Sequence, residues 1–396
     1  MAGAVREVLD QALASGNGIL RLEPAWVARA FLGPGRRLGL PEDSYDVGER
    51  GFVTERWLAS TTRADNRVGP PDEGLSRLGL DRPDAPTLAD VVDADPAAIL
   101  GQEYAASHEG LGRLAKIFDY SARLPLHLHH REQHAALVGR RSKDEAYYFP
   151  AGVDLGAHPE TFLGLHPSIV DRRAHDVLLP YLVDWEGDGI LQHSRGFQIV
   201  PEQGFHVQSG LLHAPGTALT IELQEDSDVF AMLQAETNGM RISKELLWKD
   251  VRDEDRARHR ERFILELIDW EANGDPYLYE RHHLVPRPVE GSQRAGGHED
   301  WIFYGSRKFS GKRLVVEPGS AYETSDPGAY SLLVLTGSGA VGGEEVAGGE
   351  PGRDELLVVH DRAVRGVRVV NSGRSRLELV KFFGPDVNPD APAIGR

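Results

Sequence analysis

The chain of 396 residues contains no cysteine. That absence removes disulfides, thiolate zinc sites, thiol redox chemistry and cysteine nucleophiles together, and leaves His, Asp and Glu to carry any metal. Long hydrophobic runs are missing too. No segment approaches the roughly 20 apolar residues of a membrane span, and the opening Met1-Ala-Gly-Ala-Val-Arg-Glu-Val-Leu-Asp10 lacks the apolar stretch of a signal peptide. A cytoplasmic protein with no membrane partner is expected. Positive charge is scarce: 44 Lys and Arg stand against 61 Asp and Glu, a formal net charge of -17. This argues against nucleic acid or an anionic membrane as partner. It leaves room for a phosphorylated small molecule, because a local group of Arg or Lys acts at short range while the distant field is screened over a Debye length of roughly 8 Å.

What the chain does have is histidine in a suggestive arrangement. Leu124-Pro-Leu-His127-Leu-His129-His130-Arg-Glu-Gln-His134 is followed by Lys143-Asp-Glu145 and, far downstream, by Gly210-Leu-Leu-His213-Ala. Residues i and i+2 of a strand share a face, so His127 and His129 can present imidazoles into one space. Further ligands must come from other strands. Glu145 precedes the β-favouring Ala-Tyr-Tyr-Phe, and His213 follows a short apolar stretch before Ala-Pro-Gly. Neutral imidazoles with a carboxylate suit Zn²⁺ and other divalent first-row ions. The bland alternative is a set of half-buried histidines with satisfied hydrogen bonds. His134 competes with Glu145 for the last ligand position, since His127-x-His129-x4-His134 is a common metal spacing. His130 points to the opposite strand face from His129.

Residues 1–15 read as an amphipathic helix, with Val5, Val8, Leu9, Ala12 and Leu13 on one stripe. Thr87 is a helix N-cap opening a helical stretch to about Asp119, in which Leu111, Leu114, Ala115 and Phe118 recur at helical spacing. From Pro125 to about Gln234, short β runs alternate with turn signals, the pattern of a sandwich or jelly roll. Met240 to Asn273 reads as two charged helices ending at Asn273-Gly274. The last 120 residues return to β, with runs at Arg313, Tyr330, Glu355 and Leu377 separated by Gly-rich turns. Gly337-Ser-Gly-Ala-Val-Gly-Gly lacks a following helix and reads as hairpin turns rather than a phosphate cradle. His282-His283, in a Pro-bounded segment, reads as surface.

The fold class expected is mainly β, two jelly-roll β-sandwiches with inserted helical segments. The expected divisions are 1–84, the N-terminal β part of the first sandwich with its leading helix; 85–120, a helical insert; 121–238, the metal-binding sandwich; 239–274, a helical segment; and 275–396, a second, similar β domain without metal ligands.

Several motifs, in order from about Glu55 to Asp228, resemble the type I phosphomannose isomerases of the cupin superfamily. Glu55-Arg-Trp57-Leu-Ala-Ser60 is similar to that family's Gly-Glu-x-Trp-x-x-Ser, and Thr87-Leu-Ala-Asp with Ile99-Leu-Gly101 to its next two segments. The histidine stretch resembles Pro-Leu-Ser-x-Gln-x-His-Pro, with His127 at the glutamine. Lys143-Asp-Glu145-Ala-Tyr-Tyr resembles Lys-x-Glu-x-Trp-Tyr, and Gly210-Leu-Leu-His213-Ala with Ile221-Glu222-Leu-Gln-Glu-Asp-Ser227-Asp228 resembles Gly-Thr-x-His-Ala with Glu-Ile-Gln-x-x-Ser-Asp. The resemblance implies that the two sandwiches form a double cupin, with the metal-binding cupin at 121–238 and a second cupin-like domain at 275–396, and it implies His127, His129, Glu145 and His213 as metal ligands. Two departures stand out: Met232 occupies the position of a family arginine four residues past the Ser-Asp aspartate, and His130 replaces the proline after the metal histidine.

The family chemistry implied is aldose–ketose isomerisation, which moves a proton between C1 and C2 and needs a Lewis acid with a nearby acid/base. Lys143 and Glu222 are the catalytic candidates. The expected cofactor is Zn²⁺, with Fe²⁺ and Mn²⁺ as alternatives, and the expected partner is a small sugar or sugar phosphate. Two other readings remain: an Fe-dependent cupin oxygenase, since three histidines and a glutamate also serve iron, and a non-catalytic carbohydrate-binding cupin that lost the family arginine.

Overall fold

Apolar spacing in the first residues builds the expected helix, Ala2–Ser15, which buries Leu9 and Ala12. Thr87 caps the next helix, Leu88–Ala94, in a reciprocal capping box: its side chain accepts from the Asp90 N–H while Asp90 accepts from the Thr87 N–H. The computed structural model describes residues 2–80, 82, 84–171 and 174–395.

The helical expectation beyond Thr87 needs correcting at its far end. Three short helices, Leu88–Ala94, Pro96–Leu100 and Gln102–Ser107, are broken by Pro96 and by Gly101 at φ +85°. Arg113–Phe118 then forms a strand, not a helix. Five of its six residues are buried, so it shows no alternation of polar and apolar faces, and its apolar residues mimic a helical stripe. Similarly, the stretch expected to hold two helices after Met240 holds a 3₁₀ turn, Lys244–Leu247, and three short α-helices, Asp253–His259, Arg262–Leu267 and Trp270–Gly274.

The chain folds as two compact units, each assembled from separated stretches. One comprises Met1–Val27, Glu55–Ile117 and Val285–Ala393; the other comprises Ala28–Thr54, Phe118–Leu284 and Ile394–Arg396. Both are built on antiparallel sheets, as the mainly β, double-cupin expectation requires.

In the first unit an eight-stranded sheet includes, as neighbours, Gly297–Phe303, Ser310–Val316, Leu377–Phe383, Tyr330–Thr336, Glu355–Val358 and Ile19–Glu23. A four-stranded sheet runs Ala321–Thr324, Val367–Asn371, Ser338–Val341 and Glu344–Ala347. Side chains of both, among them Leu314, Val316, Tyr322, Leu332, Val341 and Val369, make one buried core. The Gly-rich run closes the expected hairpin, with Gly342 and Gly343 both at positive φ between paired strands.

In the second unit one sheet runs Ala231–Met232, His127–Leu128, His213–Ala214, Glu160–Leu165 and Ser194–Gln198. Facing it, Gly204–Val207, Glu145–Tyr148 and Thr220–Glu225 lie side by side. Tyr147, Phe205 and Val207 from the latter group pack with Leu163 from the former. Each fully buried side chain of this size contributes about 1.5–3 kcal/mol. Gly204 permits the closest approach: a Cβ there would stand 1.8 Å from the Tyr147 carbonyl oxygen.

Candidate metal centre

The three histidines come together because of strand register. His127 pairs directly with His213 on one side and with Met232 on the other, and His129 follows two residues along. Their ring centroids lie 4.0 Å (His127 to His213), 5.3 Å (His127 to His129) and 5.0 Å (His129 to His213) apart. Glu145 arrives from the facing sheet, its carboxylate 2.8 Å from His129 Nε2 and 3.1 Å from His213 Nε2. One potential ligand atom from each of the four lies within 4.8 Å of the others, and all four side chains are buried.

The tautomers are set locally. His127 Nδ1 is 2.7 Å from the Pro125 carbonyl, His213 Nδ1 2.8 Å from the Leu211 carbonyl, and His129 Nδ1 2.8 Å from the Val229 carbonyl. A carbonyl only accepts, so each ring donates from Nδ1 and keeps a lone pair at Nε2. Burial lowers the His129 pKa to about 4 against the pull of Glu145, and burial with the neighbouring rings lowers His127 well below the ordinary value. Three imidazole Nε2 atoms and a carboxylate share one buried space. His213 Nε2 has no hydrogen-bond partner among the described residues. Such a convergence of acceptors fits a divalent cation, and outer carbonyls that hold the imidazoles are the usual support of a metal-ligating histidine.

Part of the required positive charge comes from Lys143, whose Nζ is 2.9 Å from Glu145, 3.2 Å from His129 Nε2 and 3.5 Å from Glu222. Burial opposes its charge, but Glu145 and Glu222 raise its pKa above the ordinary value. It is an ammonium at neutral pH. Glu145 is held well below the ordinary carboxylate range, its burial outweighed by the ammonium of Lys143 2.9 Å away. Glu222 lies in the ladder opposite Tyr147, which places it on the same face. The structure thus brings together all six residues singled out from the sequence.

Other expectations separate cleanly. His134 sits on the short helix Glu132–Ala135 with its ring edge-on to Phe263, outside the group of four. His130 also lies outside that group; it is buried, and burial holds its pKa at about 3. His282 is not a surface residue: it is 6% exposed, with Nδ1 2.7 Å from the His206 carbonyl. The paired polar letters concealed a helix end that turns one ring inward.

Sequence reasoning missed Tyr147, whose hydroxyl donates to Glu145 Oε1 and whose burial raises its pKa far above the ordinary phenol value. It also missed Gln224, directly across the ladder from Glu145, whose Nε2 donates to the carbonyls of Glu225 (2.9 Å) and Ser227 (2.6 Å). Asp228 is held by Arg29 through two bonds of 3.2 and 3.3 Å. The i+2 spacing from Glu145 to Tyr147 was the one signal that could have found the tyrosine.

No protein-family model and no curated protein matches the sequence. Among solved structures the chain is similar to the mannose 6-phosphate isomerase from Bacillus subtilis, at 17% identity over 92% of this chain and 99% of that one, with a TM-score of 0.62. It is also similar to a zinc-bound mannose 6-phosphate isomerase, at 11% identity over 93% and 100% with a TM-score of 0.62. A third, a mannose 6-phosphate isomerase bound with zinc and yttrium, matches at 12% identity over 93% and 100%, with a TM-score of 0.61. Likeness at such identities is likeness of fold, and over nearly the whole chain the fold is that of the mannose 6-phosphate isomerases of known structure.

Proposed function

We propose that the protein is a metal-dependent aldose–ketose isomerase acting on a sugar or sugar phosphate. The observation that carries this reading is the arrangement of His127, His129, His213 and Glu145 around one buried space, flanked by Lys143 and Glu222, in a fold shared with mannose 6-phosphate isomerases. The four residues would hold a divalent cation such as Zn²⁺, which, when bound, supplies Lewis acidity toward the substrate oxygens.

The chain's own groups account for the rest. Lys143, kept as an ammonium, donates hydrogen bonds to oxygen where negative charge develops as the proton leaves carbon. Glu222, 3.5 Å from that ammonium, takes the proton from one carbon and returns it to its neighbour, while the hydroxyl proton passes between the two substrate oxygens by way of Lys143. Tyr147 holds Glu145 in place through its hydroxyl. Burial of every one of these side chains strengthens each electrostatic contact among them. Met232, 3% exposed and paired with His127, brings no charge to the position of the family arginine. Any phosphate on the substrate must therefore be held by other groups.

The test is incubation of the zinc-loaded protein in D₂O with mannose 6-phosphate, free mannose and a panel of aldoses, following deuterium at C2 by NMR. Exchange in one of these sugars, lost in His129→Ala, is the expected result. Stoichiometric metal with no exchange in any of them would overturn the reading.

A further inference from the structure

The sandwich built from Val285–Ala393 and its partner stretches contains no His/Glu group resembling the metal centre among the described residues, yet its interior is not apolar. Lys312 and Lys381 stand directly opposite each other in the ladder between Ser310–Val316 and Leu377–Phe383, and both are buried, at 5% and 1% exposure. Two like charges facing across a ladder repel, and each ammonium costs several kcal/mol to desolvate. Asp326 lies between them, one carboxylate oxygen 2.6 Å from Lys312 and the other 2.7 Å from Lys381.

The two lysines differ in one respect. Lys381 is fully used: its three N–H donors meet Glu299 at 2.5 Å, Thr324 at 2.6 Å and Asp326 at 2.7 Å, which is the oxygen shell of a structural cation. Packing alone explains it. Lys312 has a single hydrogen-bond acceptor among the described residues, Asp326, together with the rings of Trp301 at 4.6 Å and Phe383 at 5.4 Å. It also lines a pocket of about 350 Å³, within the range of small-ligand sites. Glu299 lines the same pocket, and its Oε1 is taken by Lys381 and Thr324, which leaves Oε2 as an acceptor. Around the pocket stand two exposed arginines, Arg294 and Arg365. Arg294 stacks over Tyr322 at 5.3 Å, and among the described residues Arg365 makes one hydrogen bond, from Nε to the Asp361 carbonyl.

We infer that this pocket is a second ligand site, separate in chemistry from the metal centre, and that it takes a small hydroxylated organic anion. The anionic group meets Arg294 and Arg365, and a hydroxyl meets the spare donors of Lys312 and the spare carboxylate oxygen of Glu299. Arg294 also donates to the backbone carbonyl of Glu323 at 3.4 Å, and Glu290 and Glu323 line the same pocket. An uncharged polyol lacks the contact to the arginines, and inorganic phosphate has no carbon chain to carry a hydroxyl from the arginines to Lys312 and Glu299. The inference does not depend on the isomerase reading.

Calorimetric titration of the full chain tests it, in a His129→Ala background so that no heat arises at the metal centre. The probes are gluconate for a hydroxycarboxylate, glycerol 3-phosphate for a phosphate ester, and mannitol for an uncharged polyol. One of the two anions is expected to bind at one per chain while mannitol does not, and which anion binds identifies the source of the charge. Arg294→Ala and Arg365→Ala, both surface changes that leave the core intact, should each weaken that binding about ten- to hundred-fold. Lys312→Gln should abolish it. Absence of saturable binding by either anion, equal binding of mannitol, or full affinity in both arginine variants would each overturn the inference.

Discussion

Replacing Glu145 by glutamine changes one charge and almost no shape, so it isolates the electrostatics of the metal centre from its packing. In the metal-free protein the substitution leaves Lys143, 4% exposed, without its 2.9 Å carboxylate partner and with Glu222 at 3.5 Å and His129 Nε2 at 3.2 Å beside it. Removing one member of a buried pair costs about 3–5 kcal/mol, and the remaining carboxylate puts this case at the low end, about 3 kcal/mol. For a unit of roughly 200 residues each kcal/mol moves the melting temperature by about 2–4 °C, so the stripped variant should melt about 6–12 °C lower. Metal should widen the gap. At a zinc concentration about 1,000 times the wild-type Kd the native protein gains about 4 kcal/mol; a hundred-fold weaker variant gains only about 1.4 kcal/mol at the same concentration. Differential scanning calorimetry of chelator-stripped and zinc-loaded protein measures both quantities. A stripped variant that melts within about 2 °C of the wild type, or one that gains as much from zinc, would refute the assignment of Glu145 as both partner of Lys143 and metal ligand.

Gly204→Ala places a Cβ 1.8 Å from the Tyr147 carbonyl oxygen and parts the strand that carries Glu145; the expected outcome is a loss above about 3 kcal/mol in urea unfolding together with weaker zinc uptake, and near-wild-type behaviour would show that the strands have room. Burial, with His206 adding to it, lowers the His282 pKa from 6.5 to about 4. Between those values the unfolded chain binds a proton that the native protein refuses, so this residue makes stability rise with pH across that window, by at most about 1.4 kcal/mol per pH unit, and level off above it. Urea midpoints from pH 4.5 upward should show a shallower rise in His282→Gln, and an identical slope would sink the assignment.

The histidine pair was legible because a strand repeats every two residues, and His127 and His129 needed nothing more to share a face. Glu145 and His213 were legible through motif order, although what brings them together, the register of His127 on His213 and the facing sheet, is not written in any local pattern. Arg113–Phe118 was misread because burial on both faces erases the alternation by which strands are recognised. The pairing of Lys312 with Lys381 was invisible for a different reason. Their partners Glu299, Thr324 and Asp326 lie on other segments of the chain, and only the folded ladder makes two lysines into a problem that the acids solve.

The strand Ile19–Glu23 pairs with Glu355–Val358, the register matching Arg21 to Leu356 about 335 residues later. At synthesis rates of 5–20 residues per second, the early strand waits on the order of 20–70 s for its partner to emerge. During that interval the unit that carries the histidines acquires all its central stretch, Phe118–Leu284, and can form its core. The other unit cannot complete its eight-stranded sheet until nearly the whole chain has been made, and it holds an apolar strand with an unpaired edge for as long as it waits. The order of synthesis therefore makes the stretches of the metal centre available before the partner strands of the lysine-bearing sandwich have all emerged.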